Sequence, residues 1–128
     1  MDCIFCKIVA GEMDAAKVYE DADVLAFLDI YPETRGHCLV IPKKHVKNIY
    51  EISEAHLQKT AIVGKKIAEK LKKTLDADGI LLKQANSKAA GQVIFHYHLH
   101  VIPKYEAGEE VGKPTMEDLK KLAEQIKI

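Results

Sequence analysis

Three histidines stand at alternate positions in His96-Tyr97-His98-Leu99-His100, between Val93-Ile94-Phe95 on one side and Val101-Ile102 on the other. Alternate side chains of an extended strand share a face. The spacing therefore predicts a strand over Ile94 to Ile102, with the three imidazoles on one face and Phe95, Tyr97, Leu99 and Val101 packed on the other. A lone strand histidine is ordinarily a polar residue at a sheet surface. Three on one face bring together a nucleophile, proton carriers and anion donors, because imidazole is the side chain whose unperturbed titration lies near neutrality. The same row is also a potential metal site, imidazole being a common zinc ligand.

The chain has 128 residues, 48% hydrophobic and 30% charged, which fits one domain over 1–128 with a core that needs no staples. Lys+Arg and Asp+Glu both number 19, which removes the electrostatic footprint expected of a protein bound to nucleic acid or to an anionic membrane. A small anionic ligand remains compatible with that balance. The start, Met1-Asp2-Cys3-Ile4-Phe5-Cys6-Lys7, lacks the apolar run of a signal peptide, and no stretch approaches membrane-spanning length, so the expected location is cytoplasmic. In that compartment the three cysteines argue against a disulfide framework and leave Cys3-x-x-Cys6 as a metal or redox candidate. Cys38, inside the run Cys38-Leu39-Val40-Ile41, reads as a small buried hydrophobe.

Short apolar runs bounded by turn residues predict strands near Lys17 to Glu20, Val24 to Leu28, His37 to Ile41 and Ile80 to Gln84, besides the histidine strand. Asp21-Ala22-Asp23 reads as a hairpin turn, and Pro42 and Pro103 as strand stops. Ser53 can cap a helix from Glu54 to about Leu75, whose Leu57, Ala61, Ile67, Ala68, Leu71 and Leu75 recur on one side. Lys65, Lys66, Lys70, Lys72 and Lys73 form its solvated face, with Lys72 and Lys73 complementing the helix dipole. A last helix from Thr115 to about Ile126 carries Leu119, Leu122, Ala123 and Ile126 as its stripe, and Asp118 favours its first turn. The class is α+β, an antiparallel sheet of about five strands with one long central helix and a C-terminal helix.

Before the histidines lies Asn86-Ser87-Lys88-Ala89-Ala90-Gly91-Gln92, a polar loop whose glycine lets backbone come close to a ligand. Amides and backbone donors beside imidazoles suit an anion such as phosphate. At this point the residues resemble a known family: His96-Tyr97-His98-Leu99-His100-Val101-Ile102 is similar to the signature of the histidine-triad (HIT) family. Cys3-Ile4-Phe5-Cys6-Lys7-Ile8, Ala26-Phe27-Leu28-Asp29-Ile30 and Leu39-Val40-Ile41-Pro42-Lys43-Lys44-His45 resemble its Hint-like prokaryotic branch. The resemblance runs from Cys3 to Pro103, about four-fifths of the chain.

The resemblance implies the HIT fold, a homodimer, and hydrolysis of purine nucleoside 5′-phosphoramidates at the α-phosphorus. It places the nucleophile at His98, giving a covalent nucleotidyl-histidine. The spare nitrogen of that ring must then be held as a donor, by a backbone carbonyl, so that the attacking nitrogen keeps its lone pair. His100 is similar to the family's phosphate-contacting third histidine, and Asn86 and Gln92 to its amide contacts, with Gly91 granting access. Asp29 matches the carboxylate that accepts the ribose hydroxyls; Phe5, Ile8, Val18, Phe27 and Ile30 match the slot for the base. Many members carry a hydroxyl residue after the Gly-Gln pair, implied to help protonate the leaving group; this chain has Val93 there. The third histidine separates the chain from the transferase and phosphorylase branches, which carry glutamine at that position. A DNA deadenylase would need an added basic segment.

Adding His45 and His96 to Cys3 and Cys6 completes a closed tetrahedral zinc set of two thiolates and two imidazoles. Prokaryotic members of the family and the related galactose-phosphate uridylyltransferases use a similar set. His96 is then structural; the competing assignment keeps it in the active site and leaves the cysteines reduced. Two other functions stay open at this point: dinucleoside polyphosphate hydrolysis, and a nucleotide- or zinc-binding regulatory module without turnover.

Overall fold

A computed structural model describes residues 2–108 and 111–128. The elements in chain order are α1 (Ile4–Val9), β1 (Lys17–Glu20), β2 (Val24–Leu28), β3 (Cys38–Pro42), α2 (Glu54–Leu75), β4 (Gly79–Lys83), β5 (Leu99–Lys104) and α3 (Met116–Ile126), with a 3-10 turn at Lys88–Ala90. The strands form one sheet in the order β1-β2-β3-β5-β4, and every neighbouring pair is antiparallel. No described helix is long and apolar enough to cross a membrane.

Local chemistry fixes the element ends. The carboxylate of Asp21 accepts from the Asp23 and Val24 amides at 2.7 and 2.8 Å, which closes the turn between β1 and β2. Ser53 accepts the His56 amide at the start of α2, and Thr115 with Asp118 forms a reciprocal capping box on α3.

Every residue of β2 and β3 is buried, and the alternation divides them between two cores. Val24, Ala26, Leu28, Cys38 and Val40 pack with Val63, Ile67 and Leu71 of α2 and with Leu119 and Leu122 of α3. Leu25, Phe27, Leu39 and Ile41 pack on the opposite face with Phe5 and Ile8 of α1. Gly64 lets α2 lie close on β5, since a Cβ there would stand 2.8 Å from Leu99 Cδ2. The register aligns Phe27 with Leu39 and Leu39 with His100, so this row crosses the sheet on the α1 side.

The histidine segment departs from expectation. Its strand begins at Leu99 and runs to Lys104, while residues 94–98 are irregular. Their polar groups bond elsewhere: the Tyr97 amide donates to the Val46 carbonyl at 2.7 Å, and the Ile94 and His96 carbonyls accept from side chains. The imidazoles nevertheless share the side that faces Phe5 and Leu39, with Tyr97, Leu99 and Val101 packed on the other, and only Phe95, 46% exposed, is not packed as expected. Pro103 lies inside β5 rather than ending it. β3 pairs with β5 only as far as Val101, so the position facing β3 has no ladder partner to lose at Pro103.

Ile67 is 1% exposed at the centre of the α2 core. Ile67→Ala should lower unfolding free energy by about 2–5 kcal/mol, measured by denaturant titration.

Candidate functional site

Cys3 is the cap residue of α1, and its Sγ accepts the Cys6 amide at 3.3 Å, so the Cys-x-x-Cys pair sits on one helical turn. His45 follows the end of β3, and His96 turns into the interior with no exposed surface. Their donor atoms converge. Cys3 Sγ lies 3.3 Å from His96 Nδ1, Cys6 Sγ 3.3 Å from His45 Nδ1 and 3.6 Å from His96 Nδ1, and the two Nδ1 atoms are 3.2 Å apart. Tetrahedral zinc with its usual bond lengths needs donors roughly 3.3–3.8 Å apart, nitrogen pairs the shortest, so the four side chains fit that ion. The other nitrogen of His96, Nε2, donates to the Pro42 carbonyl at 2.8 Å, which aims the Nδ1 lone pair at the cluster. Burial pushes the His96 imidazole down to about 4, keeping it neutral. Burial and the Cys3 thiol push Cys6 up to about 11, and a dication among these donors reverses that preference by favouring thiolate.

His98 and His100 lie beyond this cluster, their ring centroids 5.0 Å apart, and His98 packs edge-on against Phe5. The backbone carbonyl of His96 accepts from His98 Nδ1 at 2.7 Å, leaving the lone pair on Nε2. A relay fixes His100. The Glu33 amide donates to His37 Nδ1 at 3.0 Å, so His37 carries its proton on Nε2 and donates it to His100 Nδ1 at 2.9 Å. His100 is thereby left with an Nε2–H donor.

Burial, reinforced by the neighbouring ring, pushes His37 and His100 each down to about 4, and burial also lowers His98. All three rings are neutral at pH 7. Asp29 Oδ2 stands 3.5 Å from His37 Nε2, a contact with a neutral ring rather than an ion pair, and burial holds the Asp29 carboxyl above its usual range. Asp29, His37 and His100 are close enough to surround a cation. The proton that the Glu33 amide forces onto His37 Nε2 occupies the lone pair such an ion would need.

His98 and His100 border a cavity of about 1060 Å³. Phe5, Ile8, Phe27 and Leu39 line its apolar end, and Asp29, Ile30, Asn86 and Gly91 also border it. Two expected contacts, Val18 and Gln92, lie elsewhere, and Asn86 borders the cavity with its amide held by other protein groups. Val18 is directed by the strand alternation into the core beneath α2 and α3, away from the cavity. Gln92 is 3% exposed, and its amide is fully engaged: Oε1 accepts from the Ser87 amide at 2.7 Å and Nε2 donates to the Lys47 and Ile94 carbonyls. Asn86 Oδ1 accepts from the Ile49 amide and from Gln84, and its Nδ2 donates back to Gln84.

The two amides thus clamp the loop after β4 onto the loop before α2. They also hold Ser87 at φ 77 and ψ 159, a region that costs a non-glycine residue about 1–3 kcal/mol. Sequence reasoning missed His37 and Leu39 because the register that sets them beside His100 is a tertiary property. The available hint was His37 at the start of an apolar strand.

This fold and donor arrangement define a small α+β domain with a buried Cys₂His₂ cluster beside a cavity walled by imidazoles. The HIT domain family model matches residues 10–107. The chain is 45% identical over 128 residues to a HIT-like protein of Methanocaldococcus jannaschii, covering 98% of each. It superposes with a TM-score of 0.90 on a hypothetical histidine triad nucleotide-binding protein of Sulfolobus tokodaii, at 38% identity over 97% of this chain and 89% of that one. A zinc-bound histidine triad family protein of Mycobacterium smegmatis gives 0.84, with 36% identity over 98% and 95% of the two chains. The protein belongs to the HIT family.

The relay makes stability depend on pH. Below about 6.5 the unfolded chain takes up protons on His37 and His100 that the folded protein refuses until about 4. Stability therefore falls as pH drops through that window and is insensitive to these groups above it. Thermal melts of chelator-treated protein between pH 7 and 4 should show this decline, with a shallower slope in His37→Gln.

Proposed function

We propose that the protein is a nucleotidyl hydrolase that cleaves purine nucleoside 5′-phosphoramidates, of the AMP–amine type, at the α-phosphorus through a covalent nucleotidyl-histidine on His98. The observation that carries this reading is the bond from His98 Nδ1 to the His96 carbonyl at 2.7 Å, which leaves Nε2 with its lone pair at the cavity. Neutral imidazole is an effective nucleophile near pH 7, and two displacements replace one difficult attack by water. As the Nε2–P bond forms, positive charge grows on the ring and the His96 carbonyl stabilises it through Nδ1–H. The P–N bond breaks and the amine takes a proton from water. A second water then attacks phosphorus, its proton neutralising the hydroxide left by the first, and the P–Nε2 bond breaks to release the nucleoside monophosphate and restore the lone pair.

His100 Nε2–H donates to a non-bridging oxygen, where preorganised donors contribute most to phosphoryl transfer. Asp29 accepts the ribose hydroxyls; Phe5, Ile8 and Phe27 hold the purine, with Ile30 at the rim. Asn86 and Gln92 act through the loop they clamp, in which Gly91 adopts φ +93 with open space where a Cβ would stand. The nucleotide-binding designation of the Sulfolobus relative supports the ligand class. The edge strand β4, with Leu81 and Leu82 exposed, is the candidate face for the homodimer.

His98→Ala should abolish release of AMP from an adenosine phosphoramidate while AMP affinity, measured by calorimetry, stays within roughly tenfold. Turnover near wild type overturns the covalent mechanism. The same assay on a dinucleoside polyphosphate separates the two hydrolase substrates.

Cys3, Cys6, His45 and His96 bind one structural zinc per chain in this reading, supported by the donor spacing and the zinc-bound Mycobacterium relative. The ion ties α1, with Phe5 and Ile8, to the segment that carries His98. Elemental analysis of protein purified without added metal should give about one zinc per chain. Cys6→Ser should lower both zinc content and melting temperature and raise KM more than it lowers kcat. A wild-type zinc content far below one overturns the assignment.

A further inference from the structure

We infer that the cavity holds a second subsite, built by Tyr50 and Val93, for the group that leaves phosphorus, and that it takes an apolar or aromatic amine. The inference rests on the hydrolase reading and names the substrate class within it. At about 1060 Å³ the cavity stands at the top of the range of single small-molecule pockets, roughly 300–1000 Å³. Its lining falls into two parts. Phe5, Phe27 and Leu39 belong to the buried cluster beneath α1 and form the end that suits a flat base. Beyond the histidines the wall comes from the two clamped loops, and there Tyr50 is 81% and Val93 83% exposed.

Exposed apolar residues scattered singly need no explanation, but large ones on two loops at one cavity mouth mark a surface that an apolar group can cover. These loops are held in place. Asn86 bonds the Ile49 amide beside Tyr50, and Gln92, adjacent to Val93, bonds the Lys47 carbonyl. Chemistry narrows the occupant further. The lining residues of this wall, Tyr50, Ala85, Ala90, Gly91 and Val93, include no charged side chain; the cavity's Asp14, Asp29 and Lys83 come from other elements. A cationic tail placed here gives up hydration without gaining a carboxylate, whereas an apolar tail removes Tyr50 and Val93 from water. In-line attack by His98 turns the departing nitrogen away from that ring.

The experiment compares kcat/KM for adenosine 5′-phosphoramidates of 2-phenylethylamine and of 1,2-diaminoethane, in wild type and variants. Wild type should favour the phenylethyl compound by about tenfold or more, the effect of burying part of an aromatic group. Tyr50→Ala should bring the ratio to within about threefold of one, while Tyr50→Phe keeps it. Val93→Asp, which supplies the missing carboxylate, should shift the ratio toward the diamine by about two- to fivefold. A wild-type ratio near one, or a ratio unmoved in both Tyr50→Ala and Val93→Asp, overturns the subsite and leaves the hydrolase reading standing. Turnover of neither compound overturns that reading and the subsite with it.

Discussion

The His96 imidazole has both of its nitrogens committed inside the protein, one to the Pro42 carbonyl and the other to the convergence of Cys3, Cys6 and His45. Through that ring the end of β3, the first helix and the histidine segment meet at one buried point. The same residue's carbonyl receives His98 Nδ1–H. One position therefore anchors the segment and orients the neighbouring ring. Exposing a ring with these partners would break contacts to two separate stretches of chain at once. That explains how residues 94–98 hold a defined shape without a ladder partner.

The imidazoles of His98 and His100 owe their roles to backbone groups. Nothing in neutral histidine decides which nitrogen keeps the proton, so each ring needs an external arbiter. For His98 it is a carbonyl; for His100 it is the Glu33 amide, acting through His37. The outcome is opposite at the two rings, with one presenting a lone pair and the other a proton. Burial, which holds both below their ordinary titration range, protects this division from protonation near neutrality.

Patterns local in sequence were readable, because they rest on interactions a few residues apart. The Asp21 turn, the Ser53 cap with the full span of α2, and the Thr115–Asp118 box all belong to this kind. The zinc-type donor set was also readable, since residue chemistry restricts it strongly. The alternation over 96–100 placed the imidazoles on one side but set the strand too early, because a period of two describes extended backbone without saying whether a neighbouring strand receives its hydrogen bonds. Val18 misled similarly, since apolarity does not reveal which of two cores a strand residue faces. Asn86 and Gln92 were expected at the ligand, and the structure shows partners on the loop at 47–49 that no local pattern announces.

The loop clamp also shapes how such a protein can change over time. Its hydrogen bonds run from side-chain amides to the carbonyls of Lys47 and Ile94 and the amides of Ile49 and Ser87, so they do not depend on the side chains at 47, 49 and 94, although proline at 49 or 87 would remove a donor and Ser87 carries its own backbone strain. The side chains projecting from the clamped loops are correspondingly free to vary, while the imidazoles and their arbiters sit on other segments. Selectivity at the cavity mouth and reactivity beneath it are thus inherited on separate parts of the chain. A lineage can explore new partners for the outer wall by single substitutions without disturbing the protons inside.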